Sequence, residues 1–408
     1  METHRINRLG LHGDGIGEGP VYAQGTLPGE LVTGIRSDSR LEQVRIIEPS
    51  SDRVKAPCRH AKSCGGCQLQ HASDAFVASW KQDVVKQALA THGLDAPLRP
   101  ISTSPPNSRR RATLSARRTK SGAQVGFHAR GSDTVVQIPD CQLLHPDLLA
   151  AFPVAEQLAR IGASRKGELS IQATVSLGGL DIAVQGGKPL DAALRTALAA
   201  EAGRHKLARL TWQSECIAMR TRPEQPMGKC KVTPPPGAFL QATTEGEQAL
   251  LAGIREVLAG TPRIIDLFAG CGTFALPLAE SAEVLAVEGD AAMVAAMDEG
   301  WRHASGLKQV TGVTRDLFRR PLRKDEFKGF SGVVLDPPRA GAEAQIPELA
   351  QAGVGRIAFV SCNPITFARD ARHLVEAGYN IGFVQVVDQF RWSSHVELVA
   401  GFYLPKTA

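Results

Sequence analysis

The stretch RIIDLFAGCG, at residues 263–272, joins an apolar run to a glycine-rich turn. Three further apolar runs follow it: EVLAVE (283–288), GVVLDPP (332–338) and RIAFVS (356–361). Continuous apolar runs that alternate with helical segments are typical of a parallel sheet with helices on both faces. The chain from about residue 240 onward is therefore predicted to be a doubly wound α/β domain. Ligands of such a sheet are expected at the carboxyl ends of its strands.

The glycine-rich turn is a candidate cofactor site. Its small residues let a ligand approach the backbone, and the next helix presents free N–H groups. Glu288 ends the second run, where a carboxylate can accept hydrogen bonds from both hydroxyls of a ribose. No phosphate-binding lysine follows the glycines, so a P-loop is excluded and the pair fits S-adenosylmethionine (SAM) or a dinucleotide. The alternative is a structural turn beside an unrelated surface glutamate. Asp316 is either an adenine-binding residue or a loop aspartate.

Two further strand ends carry residues suited to methylation of a base. Asp336-Pro337-Pro338 is a rigid turn that fixes its acid in place, and related loops occur in methyltransferases that act on planar nitrogen-bearing bases. Cys362, after the next strand, is either a nucleophile or a small core residue. A thiolate that adds to C6 of uracil makes C5 nucleophilic, and a base must later remove the C5 proton. Glu397 is the candidate base, because its apolar flank can raise its pKa by desolvation; taken alone, it would be predicted to lie on the surface.

The motifs DLFAGCG (266–272), DPPRAG (336–341), SCNPITFARD (361–370) and HVELV (395–399), in this order, resemble the RNA (uracil-C5)-methyltransferase family. That family contains enzymes for large-subunit ribosomal RNA and for the tRNA T-loop. The resemblance implies that Cys362 is the nucleophile, that Glu397 is the base and that Asp336 lies beside the target base and the methyl group. It also implies a SAM site made of Gln241, Phe268, Gly270, Thr273, Glu288, Asp316 and Asp336.

Three details bear on this resemblance. Thr243 stands where the family often has asparagine, and Thr273 stands where it often has asparagine or another polar residue. Both differences concern SAM contacts and neither concerns the nucleophile or the base. The related cytosine-C5 enzymes carry a second cysteine just after the proline of the corresponding loop. Arg339 follows the prolines here, which favours uracil as the target.

Four cysteines lie outside these motifs, namely Cys58, Cys64, Cys67 and Cys141. The spacing C-x5-C-G-G-C with a remote fourth cysteine suits zinc or an iron–sulfur cluster, and free thiols are the alternative. The ribosomal-RNA members of the family carry a 4Fe–4S cluster on this pattern, whereas the tRNA members generally lack it. The resemblance therefore implies a 4Fe–4S cluster and favours 23S ribosomal RNA as the partner.

The remaining features describe the bulk of the protein. The chain has 408 residues, 43% of them apolar, and a net charge of +6, which suits two or three domains and favours an anionic partner. No apolar run is long enough for a membrane helix and the first residues have no signal-peptide core, so a cytoplasmic protein is expected. No protein partner is implied. The basic run from Arg109 to Lys120 is either a solvated surface or an RNA contact.

These observations combine into one prediction. Residues 1–55 form a TRAM-like RNA-binding β-barrel, residues 56–238 a central α+β iron–sulfur and RNA-binding domain, and residues 239–408 a Rossmann-like SAM domain. The predicted activity is rRNA processing by SAM-dependent methylation that forms 5-methyluridine in 23S ribosomal RNA. A tRNA T-loop enzyme, a non-catalytic RNA-binding iron–sulfur protein and a methyltransferase for free small molecules are the alternatives.

Overall fold

A computed structural model describes residues 1–405 of the protein. The strands form a closed barrel, a seven-stranded sheet, a two-stranded hairpin and an eight-stranded sheet. Over these residues, no helix combines the length and apolar character that crossing a membrane requires.

The barrel is formed near the N-terminus. Its strands are β1 (Glu2–Leu9), β2 (Gly15–Gly17), β3 (Val21–Ala23), β4 (Leu31–Ser37) and β5 (Arg40–Glu48). They close in the order β1-β2-β3-β5-β4, and closure removes the free sheet edges. Ile6, Val21 and Val32 form the core of this barrel. Gly15 leaves no room for a side chain, because a Cβ there would lie 2.0 Å from the Thr26 hydroxyl oxygen. The predicted N-terminal barrel is confirmed.

A helix follows the cysteine-rich loop. Helix α1 (Asp74–Thr91) begins after Ser73, whose side chain accepts a hydrogen bond from the Phe76 backbone N–H at 3.2 Å. Its apolar stripe includes Trp80 and Leu89, and both are buried, as their helical spacing predicts. Helix α1 is followed by the short strand β6 (Leu98–Thr103).

The seven-stranded sheet lies in the middle of the chain. Its strands are β7 (Arg111–Arg118), β8 (Ala123–His128), β9 (Val135–Val136), β10 (Glu168–Ser176), β11 (Gly179–Gln185), β12 (Arg209–Trp212) and β13 (Glu215–Met219). Its helices are α2 (Pro146–Leu149), α3 (Ala151–Gly162) and α4 (Ala192–Arg204). The strand order is β13-β12-β11-β10-β7-β8-β9, with β11 and β12 parallel. The buried Trp212 ring fills the space beside Gly162 and Gly187, where added Cβ atoms would lie 2.2 and 2.0 Å from it. A hairpin of β14 (Gln225–Met227) and β15 (Cys230–Val232) leads to the last sheet.

The eight-stranded sheet confirms the predicted doubly wound α/β region. Its C-terminal strands are β16 (Arg263–Leu267), β17 (Glu283–Glu288), β18 (Val310–Thr314), β19 (Gly332–Leu335), β20 (Arg356–Ser361), β21 (Asn380–Asp388) and β22 (Leu398–Tyr403). Its helices are α5 (Thr244–Val257), α6 (Ala275–Leu278), α7 (Ala291–Arg302), α8 (Ile346–Ala352) and α9 (Pro364–Glu376), with a 3-10 turn at Lys324–Phe327.

The strand order of this sheet places the site. The order is β18-β17-β16-β19-β20-β22-β21-β6, and the first five of these strands are parallel. Chain order reverses at β16, which has β17 on one side and β19 on the other. Such a reversal opens a crevice at the carboxyl ends of the strands. Strand β6 joins the far edge beside β21, although its residues lie in the range predicted for the central domain.

Candidate active site

The crevice is bounded by the turn after β16. Three residues of this turn have positive φ angles, namely Phe268 (64°), Gly270 (57°) and Gly272 (89°). A Cβ on Gly272 would lie 2.7 Å from Met297 Cγ, whereas a Cβ on Gly270 would meet no atom within 4 Å. The turn thus packs against the protein at Gly272 and faces open space at Gly270. Thr273 follows and is half-buried.

Glu288, at the end of β17, is held against this turn. One carboxylate oxygen accepts a hydrogen bond from the Gly270 N–H at 2.9 Å, and the other accepts from the Asp290 N–H at 3.0 Å. The Phe268 ring lies beside the Phe318 ring, with 5.5 Å between centroids. Asp316 Oδ1 accepts from the Phe318 and Arg319 N–H groups at 3.0 and 3.3 Å. Asp316 therefore shapes the turn that presents the exposed Phe318 ring to this crevice.

Asp336 and Glu397 are brought together by a chain of amides. Gln241 Nε2 lies 3.4 Å from Asp336 Oδ2. Gln389 Nε2 donates to Gln241 Oε1 at 2.6 Å and to Glu397 Oε2 at 3.1 Å. Gln241, Gln389 and Glu397 are all buried. Two carboxyl groups are thus linked through two glutamine side chains.

Both carboxyl groups have strongly raised pKa values. Burial raises the pKa of Asp336 to about 7. Burial and the nearby Asp336 charge raise the pKa of Glu397 to about 8, although Gln389 and Arg111 act in the opposite direction. Desolvation of a carboxyl group disfavours its charged form. Glu397 has a solvent-exposed fraction of only 3%, so the expectation of raised pKa by its apolar surroundings is confirmed and the surface alternative is wrong.

Cys362 completes the group at the end of β20. The side chain is half-buried, and burial, with the charges of Glu397 and Asp336, raises its pKa to about 11. Asn363 caps helix α9 through its side-chain oxygen and donates from Nδ2 to the Arg339 carbonyl at 3.0 Å. This contact ties the cysteine loop of β20 to the Asp336 loop of β19. The thiol is therefore held at rest in its neutral form beside two acids.

Gln389 is a site residue that the sequence does not indicate. It lies directly after β21, in a segment without a recognisable motif. Its only signal is position, because it follows β21 directly and Glu397 directly precedes β22, the strand that pairs with β21. Periodicity does not reveal that a polar residue there turns inward.

Comparison with known proteins groups these motifs into one family. A family model described as tRNA (uracil-5-)-methyltransferase matches residues 229–407. An uncharacterized RNA methyltransferase of Brucella suis is 41% identical over 398 residues, which are 97% of this chain and 96% of that protein. The 23S rRNA (uracil(1939)-C(5))-methyltransferase of Halomonas elongata is 34% identical over 92% of this chain and 83% of that protein. The chain belongs to the RNA (uracil-C5)-methyltransferase family.

The fold agrees with this membership. The crystal structure of Pyrococcus abyssi tRNA (uracil-54, C5)-methyltransferase in complex with S-adenosyl-L-homocysteine matches with a TM-score of 0.77. The match covers 98% of this chain and 99% of that one at 21% identity, so it shows a shared fold. The predicted family and enzyme class are confirmed.

In this family member, a cleft of about 760 Å³ leads to Cys362. Its walls come from the barrel, helix α1 and the α/β domain. The lining includes Leu9, His12, Pro28, Phe76, Trp80, Arg339, Cys362, Asn363 and His395. The cleft that leads to the candidate nucleophile is therefore formed in part by the N-terminal half of the enzyme.

The basic run is divided by the fold. Arg110 is buried, donates from Nε to the Gln241 carbonyl at 3.1 Å and pairs with Glu247. Arg111 lies 4.3 Å above the Phe239 ring and donates to the Leu240 carbonyl. The hypothesis of a continuous RNA-contacting patch is wrong for these two arginines, because their guanidinium groups hold residues 239–247 in place. Arg118 and Lys120 do lie exposed on the surface.

The four cysteines of the methyltransferase converge, but a metal site is not shown. Burial and the charges of Cys141, Cys64 and Cys58 raise the pKa of Cys67 to about 12. Within residues 1–405, however, no group of three or more His, Cys, Asp or Glu side chains could hold a metal ion. The fold brings remote Cys141 to the other three without supporting the predicted iron–sulfur domain.

Proposed function

We propose that this enzyme transfers a methyl group from SAM to C5 of a specific uridine in 23S ribosomal RNA, through a covalent adduct between Cys362 and C6. The observation that carries the proposal is the meeting of Cys362, Asp336 and Glu397 at the ends of neighbouring strands, where burial and the two carboxyl charges raise the pKa of the thiol. The similarity to the Halomonas elongata enzyme supports ribosomal RNA as the substrate.

The cofactor site we propose is the crevice beside β16. The open side of Gly270 and the fixed carboxylate of Glu288 suit a ribose and its attached chain. Each Glu288 oxygen keeps a lone pair for a hydroxyl group. The site comprises Gln241, Phe268, Gly270, Thr273, Glu288, Asp316 and Asp336. SAM supplies an electrophilic methyl group when it is bound there.

The chemistry follows from the protonation states of the side chains. Cys362 loses its proton to water and its sulfur bonds to C6, so that the electrons of the C5–C6 double bond move to C5. C5 uses this electron pair to bond to the methyl group, whose bond to the sulfur of the donor breaks. Glu397, in its ionised form, removes the C5 proton; the electrons of that bond restore the C5–C6 double bond as the thiolate leaves. In this proposal Asp336 lies between the target uracil and the methyl donor SAM, where its carboxyl group can hold the uracil ring. One methyl group is gained by the RNA and one proton is released.

We propose further that Cys58, Cys64, Cys67 and Cys141 hold a 4Fe–4S cluster. The four side chains are of the type that binds such a cluster, and they lie close enough that, after burial, the charges of the other three raise the pKa of Cys67. Backbone N–H groups also donate to two of the sulfurs at 3.4 Å. Arg109 lies near Cys67 and Cys141, which suits thiolates carrying negative charge. In a cluster the four sulfurs bind different irons, whereas a single zinc ion would require them to meet at one point.

The cluster is tested by reconstitution. We expect anaerobic incubation with iron and sulfide to give visible absorbance and bound iron. Cys64→Ser should lose both, and Cys216→Ser, at an exposed cysteine outside the set, should keep them. Equal iron content in the two variants would contradict the proposal.

The three parts of the chain would then share one RNA. Residues 1–55, 56–238 and 239–408 are proposed as the barrel, central and SAM domains, and the cleft lies where their walls meet. A uridine in folded RNA must leave its stack to reach Cys362, at a cost of a few kcal/mol. Exposed cations such as Arg118 and Lys120 can offset part of this cost at phosphates.

The function is tested by nucleoside mass spectrometry on separated ribosomal and transfer RNA from cells with and without the gene. Loss of 5-methyluridine from ribosomal RNA alone is the expected result. Loss from tRNA alone would support the proposed methylation at C5 and would show that the substrate is tRNA and not ribosomal RNA. No loss from either RNA would contradict the proposed activity and favour a non-catalytic role.

A further inference from the structure

The hydrogen bonds of Gln389 determine the orientation of its amide. Its Oε1 accepts from the Ala242 backbone N–H at 2.8 Å. A backbone N–H can only donate, so the carbonyl end of Gln389 must face Ala242. Both hydrogens of Nε2 therefore point to the other two partners, Gln241 Oε1 and Glu397 Oε2.

The orientation of the Gln389 amide also determines the orientation of the Gln241 amide. Because Gln241 Oε1 accepts from Gln389, the Nε2 of Gln241 must face Asp336. Each carboxyl group thus meets an N–H donor from the amide chain. A donor stabilises a carboxylate and offers no acceptor for a protonated acid. The Gln389 donor thereby favours the ionised form of Glu397 against its burial.

We propose that Gln389 is a positioning residue for catalysis, which orients Glu397, favours its ionised form for removal of the C5 proton and holds Gln241 at the cofactor crevice. This inference rests on the proposed function, because it assigns Glu397 as the base. Gln389 contacts Glu397 and not the reacting atoms, so it acts on the reaction through Glu397. Its test therefore needs a readout that a purely structural role would leave unchanged.

Other ionisable groups face Glu397 from the neighbouring elements. Asp336 approaches from the loop after β19 and Cys362 from the end of β20. Arg111 approaches from β7, and its charge favours the carboxylate. The Gln389 variants leave the identity of all three groups unchanged. A change in the pH dependence of proton removal then reports the loss of the Gln389 donor.

The experiment measures tritium release from RNA that carries 5-tritiated uridine, with excess enzyme and SAM, over a range of pH. The variant is Gln389→Met, which matches the length of the side chain and removes the donor. The matched control is Gln385→Met, four residues earlier, where the amide donates to the Pro100 carbonyl at 3.1 Å. Gln389→Asn, which keeps the amide but shortens its reach, is a second variant if the methionine impairs folding.

We expect wild-type release to increase with pH through about 8, the pKa of Glu397. Without the donor, the midpoint should move upward by about one pH unit, which is about tenfold slower release at neutral pH. The fraction of RNA bound covalently, read on a denaturing gel, should rise because elimination is slowed after addition by Cys362. Gln385→Met should keep the wild-type midpoint.

The outcomes separate the two claims. Equal midpoints and equal adduct fractions in the Gln389 and Gln385 variants would overturn the role of Gln389 and leave the proposed function intact. A wild-type enzyme that methylates no RNA and releases no tritium would overturn the proposed function itself. A shifted midpoint at Gln389 alone supports the inference.

Discussion

Lys81 Nζ lies 2.6 Å from Asp388 Oδ1, and both side chains are excluded from solvent. The same ammonium group donates to the Phe390 carbonyl at 3.2 Å. Lys81 belongs to helix α1, and Asp388 directly precedes Gln389. The ion pair therefore connects the N-terminal half of the enzyme to the segment that supports the candidate base. The Gln68 and Leu69 N–H groups add two bonds of 2.9 Å each to the Trp392 carbonyl.

Lys81→Met should be strongly destabilising, because it leaves the Asp388 charge buried without its partner. Removal of one member of a buried pair costs about 3–5 kcal/mol. Urea unfolding followed by circular dichroism measures the loss. Lys86→Met, at an exposed position of the same helix, should change stability little. Similar unfolding midpoints for the two variants would show that the pair contributes nothing to stability.

Cys362→Ala should abolish methylation while SAM still binds, because the thiol is the proposed nucleophile and the proposed cofactor contacts lie elsewhere. Turnover is measured with tritiated SAM and RNA, and cofactor affinity by calorimetry. Cys216→Ala, at an exposed cysteine, is the control and should retain full activity. Normal methylation by Cys362→Ala would rule out the covalent mechanism.

Glu397→Gln should trap the RNA. Glutamine is nearly isosteric and can accept no proton, so addition and methyl transfer proceed and elimination stops. Loss of a general base commonly slows its step by about 10²–10⁴-fold. A covalent complex that survives a denaturing gel is the expected result. If free methylated RNA forms at the wild-type rate, another group removes the proton.

The sheet was predictable because its strands are buried on both faces and each ends at a recognisable loop. The residues from Phe268 to Gly272 and the Asp336 and Cys362 loops all follow such strands, so the edge at which they meet could be inferred from topology rules alone. The position of strand β6 could not be inferred in this way, because the pairing of residues 98–103 with β21 depends on contacts between distant parts of the chain.

Side-chain direction was harder to predict than position. Arg110 and Arg111 belong to a run that suggests a charged surface, yet they turn toward the segment that holds Gln241. The environment of Glu397 likewise depends on Asp336 and Gln389, which are remote in sequence. A local pattern records polarity and period, and neither shows which distant group will lie opposite.

Asp266, at the heart of β16, has an unusual environment. It is fully buried, and within residues 1–405 neither carboxylate oxygen has a hydrogen-bond partner. The Ala275 backbone N–H favours the ionised form. Burial first, and the charges of Asp336 and Glu288 after it, raise the pKa of Asp266 well above 3.8. Burial of Asp266 therefore favours the protonated form of its carboxyl group in the folded enzyme.

This raised pKa makes stability depend on pH. Between the unfolded pKa near 3.8 and the higher folded value, the native state binds a proton that the unfolded state lacks, so stability falls as pH rises. Asp266→Asn has no proton to lose, and its stability relative to wild type should improve from pH 5 to pH 8. Urea unfolding across that range measures the difference, with Asp133→Asn on an exposed turn as control. A difference that stays constant with pH would mean that Asp266 takes up no proton on folding.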